Sequence, residues 1–181
     1  ASGKELWFLK GGGDIPVPTP IFANDLIYLT SAHGRLRPMR AIRPGAIGDI
    51  TPPDPASTNA GIAWVHPRQG NYMQTPIAVG NRIYGCSDSG VVTCFDGMSG
   101  KILYSERLKG PAQGYTASPV SDGRHLFFPG ETGKVLVVPV GDQFSTIATN
   151  DLGETCMATP AIVDGTILFR TRGKLIAIAN E

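Results

Sequence analysis

The sequence predicts an all-β fold made of repeated antiparallel sheets, and three observations support this prediction. Of the 181 residues, 23 are glycine and 15 are proline, and they stand singly between short apolar runs, as is typical of many turns. No long stretch shows convincing helical periodicity. A step of Thr or Ser, then Pro, then an apolar residue recurs along the chain, each time ahead of a short β-rich run.

The recurring step sets the length of the repeat. It is found at Thr19-Pro20-Ile21, Thr75-Pro76-Ile77, Ser118-Pro119-Val120 and Thr159-Pro160-Ala161. The unit is therefore about forty residues, the size of one propeller blade, with an insertion in the first copy. Four copies predict a β-propeller of four four-stranded antiparallel blades, within a single domain over residues 1–181.

The second copy shows the four strands of a blade most clearly. Its predicted strands cover residues 75–79, 82–86, 91–95 and 101–108. Glycine-containing turns separate these strands. The third and fourth copies repeat the scheme, with first turns at Asp122-Gly123 and Asp164-Gly165.

The two ends of the chain carry complementary parts of a blade. Gly3 to Trp7 matches the opening of a fourth strand at Gly100 to Tyr104, whereas the last copy stops after a third strand at Lys174 to Ala179. The N-terminal strand is therefore predicted to complete the last blade, in the same chain or in a neighbour, because a bare third strand leaves an exposed edge. We expect a two-fold homodimer in which Gly3 to Leu9 of one chain lies beside Lys174 to Ala179 of the other.

The turn Phe95-Asp96-Gly97-Met98-Ser99-Gly100-Lys101 and the Thr-Pro-apolar strand openings resemble the PQQ-like β-propeller repeat family. This family includes quinoprotein dehydrogenases and BamB-like outer-membrane assembly scaffolds. The resemblance covers almost the whole chain and gives Asp96, Gly100 and Lys101 a structural role in the repeat turn. It implies a ring of roughly seven or eight blades, of which this chain would be the C-terminal half of a longer member. It also implies an extracytoplasmic location, periplasmic or secreted.

Charge and hydropathy narrow the classes of function. Sixteen basic and fifteen acidic residues leave a net charge of +1, so no preference for nucleic acid is expected. The longest apolar runs, such as Val135 to Val140, are far shorter than the roughly 20 residues of a membrane-spanning helix, so no transmembrane segment is expected. The first residues show no signal-peptide pattern. Cys86, Cys94 and Cys156 form no adjacent or CxxC pair and predict neither a disulfide framework nor a zinc site.

No grouping of residues predicts a catalytic site. Quinoprotein dehydrogenases hold PQQ with calcium, and many carry an adjacent cysteine pair, which this chain lacks. Asp88, Asp96, Asp122 and Asp164 all fall in predicted turns, where aspartate bonds to nearby backbone. We therefore expect no cofactor and a non-catalytic scaffold that binds a protein partner or the missing half of a parent chain. The alternative is half of a PQQ-dependent dehydrogenase that oxidises an alcohol or a sugar.

A basic stretch is the most suggestive candidate for binding. It consists of His33, Arg35, Arg37, Arg40 and Arg43, with no acidic residue among them. Guanidinium forks match carboxylates and phosphates, so the stretch predicts an anion-binding or partner-binding patch. Alternation places Arg35 and Arg37 on one face of a predicted third strand. The alternative interpretation is a solvated edge whose charges are paired with neighbouring blades.

Two further features concern packing and loops. Three aromatic residues occupy similar places near the start of fourth strands, namely Trp7, Trp64 and Tyr104. This recurrence favours packing between blades over the alternative, a ring of aromatic side chains that binds a ligand. The proline-rich insertion near 44–61 has no pattern for burial and is predicted to be a surface loop. Because long loops on rigid scaffolds often carry recognition, the insertion is a second candidate for partner binding.

Overall fold

A succession of antiparallel sheets makes up the computed structural model, which describes residues 2–110 and 114–179. Within these residues the chain forms β-strands and no α-helix. A short ribbon pairs β1 (Trp7–Phe8) in parallel with β5 (Gly48–Asp49). Sheet I consists of β2 (Ile21–Ala23), β3 (Leu26–Thr30), β4 (Met39–Ile42) and β6 (Ile62–His66). Sheet II consists of β7 (Ile77–Val79), β8 (Arg82–Cys86), β9 (Val91–Asp96) and β10 (Ile102–Arg107).

The remaining strands form two more sheets. Sheet III consists of β11 (Val120–Ser121), β12 (His125–Pro129), β13 (Lys134–Pro139) and β14 (Ala148–Asp151). Sheet IV consists of β15 (Ala161–Val163), β16 (Thr166–Arg170) and β17 (Leu175–Ala179). Strands in all four sheets pair antiparallel in chain order. The four-stranded antiparallel sheets predicted from the repeat are thus confirmed, and sheet IV has three strands in the described residues.

The core lies between the sheets, because each sheet turns apolar side chains to both of its faces. Tyr28, Met39 and Trp64 of sheet I pack against Ile83 and Phe95 of sheet II. Sheets II and III enclose a second cluster, which includes Tyr84, Cys94, Leu126 and Leu136. Sheets III and IV meet around Val135 and Phe169. Because both faces of each sheet are buried, the sequences of its strands are nearly continuous apolar runs.

The recurring Thr-Pro or Ser-Pro step links each sheet to the next by a hydrogen bond. The backbone N–H of Thr19 donates to Thr75 Oγ1 at 3.1 Å, and that of Thr75 donates to Ser118 Oγ at 2.9 Å. The N–H of Ser118 donates in turn to Thr159 Oγ1 at 3.0 Å. We call this series the hydroxyl ladder. It explains why the step needs a hydroxyl, and it holds β2, β7, β11 and β15 side by side in that order.

The repeat turn after β9 is held by its own side chains. Asp96 Oδ1 accepts hydrogen bonds from the N–H of Ser99 at 2.8 Å and from its hydroxyl at 2.7 Å. These bonds lower the pKa of the Asp96 carboxyl. Gly100 has a φ of +73°, and a Cβ there would lie 2.5 Å from Trp64 Cγ. Lys101 is exposed and contributes backbone bonds, as its carbonyl accepts from the N–H of Asp96 at 2.8 Å.

The N-terminal strand lies elsewhere than its resemblance to a fourth strand predicts. Trp7 pairs with Gly48 of the insertion, and Phe8 pairs with Asp49, so β1 is not paired with β17 of the same chain. Trp7 and Leu9 pack against a buried cluster on sheet I that includes Ile42. The reason is that this face of sheet I carries an apolar cluster and lies against none of sheets II to IV in the described residues.

The insertion is partly buried, although its composition predicts a surface loop. Residues 53–56 are exposed, whereas Ile50 is buried against Ile42 and Ile62. Asn59 fixes this arrangement, because its side-chain amide donates to the carbonyl of Ile50 at 2.9 Å. The few apolar residues of this stretch, such as Ile47 and Ile50, follow no period that predicts burial.

Replacement of Gly100 by alanine is expected to destabilise the protein more than replacement of Gly80. Both glycines have positive φ, so each substitution places a side chain in the left-handed region at a cost of about 1–2 kcal/mol. Only Gly100→Ala also overlaps Trp64, since the space around Gly80 is open. Urea denaturation should show a free energy of unfolding lower by a further ~1–3 kcal/mol for Gly100→Ala. Equal losses for the two variants would contradict the assigned contact.

Candidate functional site

The five basic residues predicted as one patch lie in three separate places. His33, Arg35 and Arg37 line a pocket of about 280 Å³ at the rim of the sheets. Arg40 lies in β4 and lines a different cavity, which Trp7 and Leu9 also line. Arg43 follows β4, where its Nη1 donates to the carbonyls of Asn59 and Ala60 at 3.1 and 3.3 Å. Arg43 thus anchors the insertion.

Alternation predicts that Arg35 and Arg37 are strand residues. This prediction is wrong, because β4 begins only at Met39. The two arginines lie in the loop between β3 and β4. His33 and Gly34 both have positive φ, at +65° and +76°, and these two left-handed residues turn the chain before it can extend. The side chains of this loop therefore do not alternate as they do in a strand. Arg35 and Arg37 line the same pocket because of the shape of the loop.

The rim pocket, defined by His33, Arg35, Arg37, Arg68 and Tyr72, joins two loops. The N–H of Arg37 donates to the carbonyl of Pro67 at 3.0 Å, and the N–H of Gly70 donates to the carbonyl of Arg37 at 2.6 Å. The ring of His33 meets that of Tyr72 edge to face at a centroid distance of 4.1 Å. These contacts hold three guanidinium groups around one concave surface.

Sequence reasoning missed Arg68 and Tyr72, which come from the connection between β6 and β7. A signal was present, since in a chain of antiparallel strands the turn between the second and third strands and the connection to the next sheet lie at the same end. Ser87 and Asp88, from the equivalent turn of sheet II, also line the pocket. Asp88 supplies one negative charge against three arginines. No ion pair among the described residues involves Arg35, Arg37 or Arg68.

The three aromatic residues predicted as equivalent occupy two kinds of position. Trp64 lies between sheets I and II, stacked on Phe95 at a centroid distance of 5.6 Å, and its Nε1 donates to the carbonyl of Gly97 at 2.7 Å. Tyr104 lies between sheets II and III, at 5.6 Å from Phe144. Trp7 packs instead on the outer face of sheet I. Its different place follows from the pairing of β1 with the insertion.

Cysteine thiols are the most reactive titratable groups in this chain, and they are buried. All three cysteines are free and buried. Burial raises the pKa of the Cys94 thiol to about 12 and raises the pKa of Cys86 and Cys156 as well, so these thiols stay protonated at neutral pH. In residues 2–110 and 114–179 no three His, Cys, Asp or Glu side chains are grouped so as to hold a metal ion.

The described part of the chain also has no helix with the length and hydropathy needed to cross a membrane.

Comparison with known proteins identifies the fold as a β-propeller. No family model and no curated protein matches the sequence. Among solved structures, BamB from Moraxella catarrhalis superimposes with a TM-score of 0.61 at 15% identity, over 85% of this chain and 42% of that chain. The protein thus has a BamB-like β-propeller fold, and it spans less than half the length of that BamB.

Two computationally designed proteins have a similar structure. The Ika4 protein matches with a TM-score of 0.69 at 13% identity, over 98% of both chains. The Ika8 protein matches with a TM-score of 0.71 at 15% identity, over 99% of this chain and 50% of that one. Identities this low establish the fold alone.

Loss of two arginines from the rim pocket is expected to weaken its binding of acidic peptides. A fluorescently labelled hexaglutamate peptide should bind the wild-type protein in low salt, and Arg35→Ser with Arg37→Ser should weaken that binding by at least about tenfold. The control variant, Arg124→Ser with Arg172→Ser, removes the same charge outside the pocket and should retain the affinity. Equal affinity in both double variants by fluorescence anisotropy would mean that the pocket is a solvated edge.

Proposed function

We propose that the chain is a non-catalytic scaffold for protein–protein interaction, an open set of sheets that is closed by a second copy of itself. One observation carries the proposal, namely the outward face of sheet IV. Strand register places Val163, Leu168 and Leu175 on this face, because Leu168 pairs with Ala177 and Arg170 pairs with Leu175. Val163 is 50% exposed and Leu175 is 71% exposed. Apolar side chains clustered in this way are typical of an interaction surface.

The same face is covered in the sheets that precede it. Leu168 pairs with Ala161 just as Tyr28 pairs with Ile21 in sheet I, and as Tyr84 pairs with Ile77 in sheet II. Tyr28 and Tyr84 are fully buried against the following sheet. The outward face of sheet IV therefore has the chemistry of a surface that receives another sheet of this kind.

A second copy fits this surface because the two ends of the chain are complementary. The hydroxyl ladder begins at Thr19, whose Oγ1 faces no preceding sheet in the described residues, and ends at Thr159, whose N–H faces no following one. A second copy that places its sheet I beside sheet IV would continue the ladder with Thr159 as donor and Thr19 as acceptor. The Ika8 structure supports this arrangement, since this fold covers half of that chain.

Closure by two copies gives the scaffold its working form. Two chains would form a ring of eight sheets, and each would present its own rim pocket and insertion to other proteins. The edge of β17 would be paired with a strand of the neighbour, in accord with the rule that long sheet edges are covered. An extracytoplasmic location and the alternative of a half-dehydrogenase stay predictions from the family resemblance, and no catalytic step is derived from them.

Sedimentation equilibrium tests the proposed dimer. The wild-type chain should have twice its monomer mass of 19.1 kDa. Leu175→Asp should weaken the association by at least about a hundredfold, because an unpaired carboxylate would be buried in the contact. The control Met98→Asp changes a residue that is 57% exposed in the repeat turn after β9, which belongs to neither sheet I nor sheet IV, and should leave the dimer intact.

Two results would contradict the proposal. A wild-type mass of 19.1 kDa at every concentration measured would show that the chain does not bind a second copy of itself. A Leu175→Asp variant that remains a dimer would show that a different surface is used.

A further inference from the structure

Arg40 is a buried cation that has no anionic partner among residues 2–110 and 114–179. It lies in the middle of β4, opposite Leu29 of β3 and Val65 of β6, and it is only 5% exposed. Its Nε is buried and has no hydrogen-bond partner, and no ion pair among the described residues includes it. Burial lowers the pKa of Arg40, yet a guanidinium keeps its proton in proteins. An unpaired buried charge strongly destabilises a fold, so this position needs a compensating group.

A cavity beside Arg40 has room for that group. Its volume is about 340 Å³, within the range of small-molecule sites. The N-terminal segment, residues 7–20, closes one side of the cavity, and sheet I closes the other. Trp7, Leu9, Pro16 and Leu29 give it apolar walls.

Ser31 and Thr30 belong to the wall of the same cavity as Arg40. Ser31 lines the cavity, and its Oγ accepts a hydrogen bond from the N–H of Gly13 at 2.8 Å, which leaves its hydroxyl hydrogen free to donate. Thr30 lies beside it and accepts from the N–H of Asn71 at 2.8 Å. No acidic residue and no second basic residue lines this cavity in the described part of the chain.

We propose that this cavity binds a small monocarboxylate with an apolar body. The carboxylate would accept two parallel hydrogen bonds from the Arg40 guanidinium and one from the Ser31 hydroxyl. The apolar body would lie between Trp7 and Pro16. A single cation matches one negative charge, whereas a phosphate group would leave charge uncompensated among apolar walls. The proposal rests on contacts within one chain, and the cavity lies on the face of sheet I that the second copy would approach in the proposed dimer.

Benzoate and phenylacetate are suitable probes, with benzamide as the neutral match of benzoate. We expect saturable benzoate binding by calorimetry, with a rise in melting temperature that grows with ligand concentration. Benzamide and inorganic phosphate should bind at least about tenfold more weakly, because benzamide lacks the negative charge and phosphate lacks the apolar body. Since Trp7 lies in the cavity wall, benzoate should also change tryptophan fluorescence, and Trp7→Phe should remove that change.

Substitution of Arg40 separates the site from a merely structural role. Arg40→Met should abolish benzoate binding and leave the melting temperature without ligand unchanged or higher, because the unpaired charge is gone. Arg40→Lys keeps the charge but not the fork and should bind benzoate at least about tenfold more weakly. The control Arg124→Met changes an arginine that lines neither this cavity nor the rim pocket and should bind benzoate normally.

Three outcomes would overturn the proposal. One is the absence of saturable benzoate and phenylacetate binding up to about 10 mM ligand. Another is unchanged benzoate affinity in Arg40→Met. The third is conversion of a dimer into a monomer by Arg40→Met, since a carboxylate of the second chain would then be the counterion of Arg40.

Discussion

Every sheet in this protein is apolar on both faces, and the rest of the structure depends on this constraint. A sheet of this kind is stable only between two neighbours, so sheets must follow one another and each must leave room for the next. Trp64 shows how closely the faces fit, because its ring occupies the space where Gly100 has no Cβ. The constraint cannot be met at the two ends of the set. There the chain uses its N-terminal segment and Ile50 to cover sheet I, and leaves sheet IV open.

The fold could be predicted from the sequence because the same local signals recur in each repeat. Hairpin turns such as Gly80-Asn81 are visible in the sequence and locate the ends of the neighbouring strands to within one or two residues. The strand predicted over 82–86, for example, is identical to β8. The Thr-Pro step was visible as a repeat, although its purpose was not. Only the structure shows that Thr75 and Ser118 bond to each other across sheets, since a bond between residues 43 positions apart leaves no local pattern.

The candidate site could be predicted only in part. His33, Arg35 and Arg37 do lie together, but Arg68 joins them through a contact between loops that no spacing along the chain encodes. Arg40 and Arg43 belong to the same run of sequence and lie in other environments, because β4 begins between Arg37 and Arg40 and turns alternate residues to opposite faces. Proximity along the chain was therefore a poor guide once the run crossed from a loop into a strand. The pairing of β1 with the insertion could not be predicted for a similar reason, because the match of Gly3–Trp7 to Gly100–Tyr104 carries no information about a partner strand.

The hydroxyl ladder has a direction, since each backbone N–H donates only to the sheet that follows it. A further unit can continue it in one sense alone, in the manner of monomers that add head to tail. Contacts of this polar type close into a ring when the angle between successive units divides the circle, and otherwise extend into a helical filament. The choice between a discrete particle and an open fibre thus depends on the tilt between adjacent sheets, and Trp64 and Tyr104 are among the large side chains packed in the space between them. In the proposed assembly, mutations that alter the volumes of those side chains would change the form of the particle and leave every hydrogen bond of the hydroxyl ladder in place.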